Sequence, residues 1–254
     1  VVCTLMGNEE PQRLSKVMAH RGLCSRREAE SWIEAGRVLV DGECIQTQGV
    51  KVLPSQVIEI LPDHNEELRW TALINKPEGV VSHLPQPGQE TAWQLLRADR
   101  LQSGSDAVLA RAIMKNAERG HVAGRLDRAS RGLLLLSLDG RVVRWATSGT
   151  GEVEKVYRVQ VEKQPAAHQV EKLRGRMFLD DQELRPMGVE DLGGFELEFR
   201  LREGRKHHIR RVCRKVGLNV MDLQRVSLGP LELGDLPEGW WRPLRAEELP
   251  VFEG

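Results

Sequence analysis

Bulk composition excludes more about this chain than it assigns. Its 254 residues contain only four cysteines, Cys3, Cys24, Cys44 and Cys213, and no C-x-x-C pair. That argues against a zinc ribbon and a secreted disulfide scaffold, and it fits a reducing compartment. Net charge is also missing, because Lys plus Arg and Asp plus Glu both total 37. No global attraction to nucleic acid follows, so any RNA contact must come from local patches. No apolar run reaches the roughly 18 residues of a membrane span, and the first residues lack the basic and apolar zones of a secretory signal. A soluble globular protein without a membrane partner is expected. The length suits one large domain, or a small one plus a medium one, and no internal repeat is present.

The first organised stretch runs from Gln12 to about Pro62. Leu14, Val17 and Met18 have helical spacing, Gly22 breaks that helix, and Ser25-Arg-Arg-Glu28 is a capping box opening a second helix with Trp32 and Ile33 inward. Gly36 closes it. Val38-Leu-Val40 reads as a strand, Asp41-Gly42 as a hairpin turn and Val57-Ile-Glu-Ile60 as a later strand. Between Arg13 and Arg37 lie six basic residues, Arg13, Lys16, Arg21, Arg26, Arg27 and Arg37, against Glu28, Glu30 and Glu34. Helix N-termini beside arginines suit phosphate, although charge counts alone favour a solvated helical face. The run from Arg13-Leu-Ser-Lys16 through Ser25-Arg-Arg-Glu-Ala29 to Gly36-Arg-Val-Leu-Val-Asp-Gly42 resembles the S-four-like RNA-binding domain. That likeness makes Arg13, Lys16, Arg26 and Arg27 candidate RNA contacts. Asp63-His-Asn-Glu-Glu67 then reads as a linker. The expected division is 11–62, a 63–69 linker, and 70–254. Strands and helices mix without regular alternation beyond it, so the class is α+β.

The most informative segment is Gly124-Arg-Leu-Asp-Arg-Ala-Ser-Arg-Gly-Leu-Leu-Leu-Leu-Ser-Leu-Asp-Gly140. Leu133–Leu136 is an apolar run suited to a buried strand, with Asp139-Gly140 as a turn after it. Asp127 therefore lies in a loop feeding a core strand, where a charged side chain can serve a site. From the pattern alone a turn-forming or capping aspartate is the commoner reading, since such residues far outnumber nucleophiles. In Lys155-Val-Tyr-Arg-Val-Gln-Val161, alternation puts Lys155 and Tyr157 on one face of a strand. Tyr157, the only tyrosine, could stack on a base for roughly 1–3 kcal/mol or serve as a core residue.

A further strand is expected in Phe195, Leu197, Phe199 and Leu201, followed by a turn at Glu203-Gly-Arg205. A helix comes next, with Ile209, Val212, Cys213 and Val216 as its stripe and Gly217 as its cap. Arg200 to Lys215 contains eight basic residues and one acid, Glu203, and is the stronger RNA-backbone candidate through Arg205, Lys206 and Arg211. His207-His208 diverge on a helix and have no spaced carboxylate or cysteine set, so phosphate or loop contacts are expected rather than a metal.

Gly124-Arg-Leu-Asp127, Ser-x-Gly-Leu-Leu-Leu-Leu, Lys155-x-Tyr157 and Gly204-Arg-Lys-His-His-Ile-Arg-Arg211 occur in this order, with Lys76-Pro-x-Gly79 ahead of them. Together they resemble the ribosomal pseudouridine synthases of the RsuA/RluB type, from Gln12 to Trp241. The resemblance implies a catalytic domain on a mixed, mostly antiparallel sheet with flanking helices, behind the small N-terminal α/β RNA-binding domain. The implied activity is isomerisation of a specific uridine in ribosomal RNA, with neither metal nor organic cofactor.

The same resemblance makes Asp127 the nucleophile, Arg125 the arginine that opens the RNA, and Tyr157 the base-stacking residue. It makes Arg210 the basic partner of Asp127, Ile209 the aliphatic residue beneath the base, and Lys155 the basic residue beside the tyrosine. Ser130 stands where threonine is usual, His208 where glutamine is usual, and Leu138 where a polar residue is usual. The implied partner is ribosomal RNA or an assembly intermediate. A monomer is expected in the bacterial cytoplasm, or in a plastid or mitochondrion after removal of a leader. The competing classes are a non-catalytic ribosome-associated RNA-binding protein, and a hydrolase pairing Asp127 with Asp139.

Overall fold

Residues 10–61, 69–148 and 153–249 are described by the structure, a computed structural model. The expected linker 63–69 lies outside the described residues except for Arg69. Two compact units are present, one formed by the described residues up to Arg69 with Asp139–Arg141, the other by Trp70–Leu138 and Val142 onward.

The first unit follows local signals. Strand β1 (Gln12–Arg13) leads into α1 (Leu14–His20) and α2 (Arg26–Glu34). The Ser25 hydroxyl accepts from Glu28 N–H at 3.2 Å while the Glu28 carboxylate accepts from Ser25 N–H at 2.8 Å, which closes the capping box. Strands β2 (Val38–Val40), β3 (Glu43–Ile45) and β5 (Ile58–Ile60) form an antiparallel sheet in the order β3-β2-β5, and β4 (Lys51–Val52) pairs with β1. Asp41 and Gly42 both have positive φ, as a tight primed hairpin turn requires. Leu14, Val17, Met18, Ile33, Val38 and Val40 form the core. Trp32 stays half-buried beneath the Arg37 guanidinium, 5.1 Å from its ring centre.

The second unit is built on a nine-stranded sheet among the described residues. Its members are β6 (Thr71–Lys76), β7 (His121–Ala123), β8 (Arg131–Ser137), β9 (Lys155–Val161), β12 (Gly188–Gly193), β13 (Glu196–Leu201), β14 (Val220–Leu228), β15 (Leu231–Glu232) and β16 (Trp241–Pro243). The main path is β12-β13-β9-β14-β8-β6-β16. Every pairing is antiparallel except β14 with β8, so the sheet is mixed and mostly antiparallel, as expected. The helices are α3 (Ala107–Lys115), α4 (Gly140–Thr147), α5 (Ala167–Arg174) and α6 (His208–Lys215). A small hairpin joins β10 (Phe178–Leu179) to β11 (Gln182–Glu183).

Leu133–Leu136 are fully buried in β8, as the run predicted. Val212 and Cys213 of α6, with Val216 just after it, pack with Leu197, Phe199 and Leu201 of β13. Asp139-Gly140 proves to open a helix rather than form a free turn: the Asp139 carboxylate accepts from Arg141 N–H at 2.9 Å at the start of α4.

Candidate active site

Asp127 lies in the loop between β7 and β8, and five groups fix the backbone of that loop. The Ser82 hydroxyl donates to the Leu126 carbonyl at 2.7 Å and accepts from Leu126 N–H at 3.2 Å. Gly79 N–H donates to the Arg128 carbonyl at 2.9 Å, and Arg128 Nε returns a bond to the Gly79 carbonyl at 3.0 Å. Ser130 N–H donates to the Asp127 carbonyl at 3.0 Å. Arg225 Nη2 donates to the Gly124 carbonyl at 2.7 Å, and Arg210 Nη2 donates to the Ala129 carbonyl. Held on both sides, the loop presents its carboxylate in one place, which is what a preorganised site needs. The Asp127 side chain keeps 41% exposure.

The Lys76-Pro-x-Gly79 block now has a physical role. The Lys76 ammonium is fully buried and donates to the carbonyls of Pro77 at 2.8 Å and Val80 at 2.9 Å, shaping the turn that brings Gly79 to Arg128. Burial, the largest cause, lowers its pKa to about 8, with Asp127 among the charges that counter the fall.

A cleft of about 830 Å³ opens around Asp127. It brings together Arg125, Asp127, Lys155, Tyr157, Arg205, Lys206, Ile209 and Arg210 from the expected set. Tyr157 and Lys155 share a face of β9, and Ile209 is buried on the first turn of α6. Arg125 and Lys206 are exposed at the cleft. Arg13, Lys16, Arg26 and Arg27 belong to the first unit and are exposed there.

Three expectations about cations need correction. Arg210 makes no ion pair with Asp127. Its guanidinium donates to the Val220 carbonyl at 3.0 Å and to Ala129, so it steadies the loop two residues beyond the carboxylate. The side chain facing Asp127 is instead His207, whose Nε2 lies 3.7 Å from Oδ1. His207 reaches that place from a left-handed backbone, φ 52°, at the N-cap of α6.

Arg211 does not line the cleft. It is engaged by Asp180 through two bonds, at 3.0 and 2.5 Å. Arg205, though in the cleft, donates to Gln182 at 2.9 Å and lies 3.7 Å from Glu203. His208 is buried with neither ring nitrogen bonded, and burial lowers its pKa below the ordinary imidazole value. Asp139, the partner required by a hydrolase, is bound by Arg141 at 2.7 Å.

Arg225 was not anticipated. It lies on β14 directly across from Tyr157, is 1% exposed, and lines the cleft. Two register shifts, between Val220 and Asp222 and between Arg225 and Ser227, break the alternation that would have revealed its strand. Gly132 makes its placement possible: β14 passes so close there that a Cβ would stand 2.3 Å from the Arg225 carbonyl oxygen, and Gly132 holds φ +102°. Gly124, at φ +77°, likewise turns the chain so that its carbonyl meets Arg225. Among the described residues no three His, Cys, Asp or Glu side chains group as a metal site.

A loop carboxylate and a tyrosine lining one cleft, with exposed arginine and lysine side chains beside them, fit the class of enzymes that act on one base of an RNA. Residues 71–215 match the family model for RNA pseudouridylate synthase, and residues 12–58 match that for the S4 domain. The first match spans more than half of the chain, which belongs to the RNA pseudouridylate synthase family of isomerases. An uncharacterized RNA pseudouridine synthase of Aquifex aeolicus (strain VF5) is 30% identical over 247 residues, covering 93% of this chain and 92% of its own length. Ribosomal large subunit pseudouridine synthase B of Bacillus subtilis (strain 168) is also 30% identical over 247 residues, covering 94% of each chain. The dual-specificity RNA pseudouridine synthase RluF of Escherichia coli (strain K12) is 28% identical over 242 residues, covering 93% of this chain and 77% of its own. A crystal structure of a pseudouridylate synthase superposes with a TM-score of 0.64 at 26% identity, covering 93% of this chain and 97% of the other.

Proposed function

We propose that this chain isomerises one uridine of ribosomal RNA to pseudouridine, with Asp127 acting at the ribose anomeric carbon. The observation that carries the assignment of Asp127 is the loop in which five groups fix the backbone while the carboxylate stays open to the cleft. The substrate class rests on relatives named for large-subunit ribosomal and dual-specificity RNA modification.

Within the cleft, Tyr157 stacks on the flipped uracil and Ile209 packs beneath it, because a base left inside a helix cannot present its glycosidic bond to a carboxylate. Asp127 serves as nucleophile toward C1′ or as the base that takes a ribose proton. His207 faces the carboxylate, and Arg210 is a positioning residue for the loop. Arg125 and Lys206 meet the RNA at the cleft, with Arg205 braced behind them and Lys155 buried on the same strand face as Tyr157.

Residues 11–62, through Arg13, Lys16, Arg26 and Arg27, hold RNA as a separate binding unit. The separate S4 match and the first compact unit support that division from 70–254. A monomer acting on ribosomal RNA or an assembly intermediate in the bacterial cytoplasm completes the proposal. Chemical mapping of pseudouridine on rRNA fragments treated with the protein or with Asp127→Asn is the test. One site that disappears with the variant is expected; no modified site on any fragment or assembly intermediate would refute the assignment.

A further inference from the structure

Two buried cations of the cleft bond only backbone carbonyls among the described residues. Lys155 is 8% exposed, and its ammonium has a single long bond, 3.4 Å to the Val153 carbonyl. Arg225 donates to the carbonyls of Leu133 at 2.8 Å and Gly124 at 2.7 Å. Neither has a carboxylate partner among the described residues. They are neighbours: burial first and Arg225 second lower the Lys155 pKa. Two cations buried side by side without an anion are unfavourable, and an arriving negative charge offsets that penalty.

Placement indicates where that charge would lie. The β9–β14 register sets Arg225 opposite Tyr157, and alternation puts Lys155 on the same face, two residues before it. The pair therefore flanks the aromatic platform, while the exposed cations Arg125 and Lys206 stand at the cleft for phosphates. Asp127 faces His207 and has no bond to either member of the pair.

We propose that Lys155 and Arg225 form a cationic floor that takes up the negative charge of the uracil ring while it is detached from the ribose. This rests on the uridine-isomerase assignment above. Heterolysis of C1′–N1 leaves the electron pair on uracil, spread over N1, O2 and O4. Asp127 takes the ribose side, either bonding C1′ until C5 displaces the carboxylate, or accepting the C2′ proton, which returns to C2′ as C5 bonds C1′. After rotation C5 bonds C1′, the C5 proton is released and N1 takes one up, so product and substrate have the same atoms. Charge on the free ring is the feature the floor stabilises, as fixed donors stabilise an oxyanion.

The test compares single-turnover rates on an rRNA fragment carrying the uridine modified by the wild type, and on the same fragment with 5-fluorouridine there. Fluorine stabilises the uracil anion without help from the protein. Reaction is read as loss of the starting nucleoside from nuclease digests. Lys155→Met is expected to slow uridine roughly 100-fold and 5-fluorouridine roughly fivefold or less, with RNA affinity unchanged and Lys155→Arg recovering most of the rate. Lys155→Gln is run beside it, and circular dichroism selects the variant that keeps the wild-type fold. Equal slowing on both RNAs, or loss of affinity alone, overturns the floor while leaving the isomerase assignment standing. A wild type that modifies no fragment overturns both.

Discussion

Arg13, Lys16, Arg26 and Arg27 project into solvent from the first unit, whereas Arg200, Arg202, Arg205, Arg210, Arg211 and Lys215 all donate to oxygens of the protein itself. In sequence the second group is the denser cluster and the better RNA-backbone candidate. In the fold most of it braces the sheet and the small hairpin, leaving Lys206 and Arg214 as exposed cations of that stretch with no bond among those described. A count of charges measures potential at long range, but only the partners reveal which charges remain for a ligand.

Neutralising Arg13, Lys16, Arg26 and Arg27 together should give the largest change in RNA affinity. The slope of log affinity against log salt should fall by roughly 0.7–0.9 for every phosphate left without its cation. A slope that does not move would place the RNA elsewhere. Lys206→Ala should act in the same sense by one phosphate at most, again read from a salt titration. Arg211→Ala should leave the slope unchanged and lower the melting temperature by as much as Asp180→Ala, with the double variant no worse than either single one. A changed slope would return Arg211 to the RNA surface.

The smallest effect concerns acid. Burial holds the folded-state pKa of His208 below its ordinary 6.5. The unfolded chain therefore binds a proton that the folded one refuses, and stability falls as pH drops from 6.5 toward the folded value. Glu203, Arg205 and Arg211 are the charges that act on His208. His208→Gln, the residue usual at this place in the resemblance, should reduce the loss of melting temperature between about pH 7.5 and about pH 5. An unchanged loss would assign it to other groups.

How far the sequence could be read depended on whether a feature was local. The Ser25–Glu28 capping box, the Asp41-Gly42 turn and the Leu133–Leu136 strand each depend on a few neighbouring residues, and each forms as expected. The cleft residues Asp127, Tyr157 and Ile209 come together because their motifs keep family order.

What stayed hidden is non-local. Arg225 sits on a doubly bulged strand whose neighbours, β8 and β9, lie far away in sequence. The hairpin that captures Arg211 turns on Asp180 and Asp181, both left-handed, a pair without the glycine that usually signals such a turn. The motif places Arg210 beside Asp127, and no periodicity reveals that its guanidinium ends on backbone carbonyls instead.

The central claim is that Asp127 performs the chemistry and leaves binding to other residues. Release of tritium from rRNA labelled at uridine C5, measured with wild type and Asp127→Asn alongside RNA affinity, tests it most directly, since the C5 proton leaves only if the base is rejoined through carbon. Release reduced by roughly 10³-fold or more in the variant, at unchanged affinity, is the predicted result. Equal release from both proteins would contradict the account.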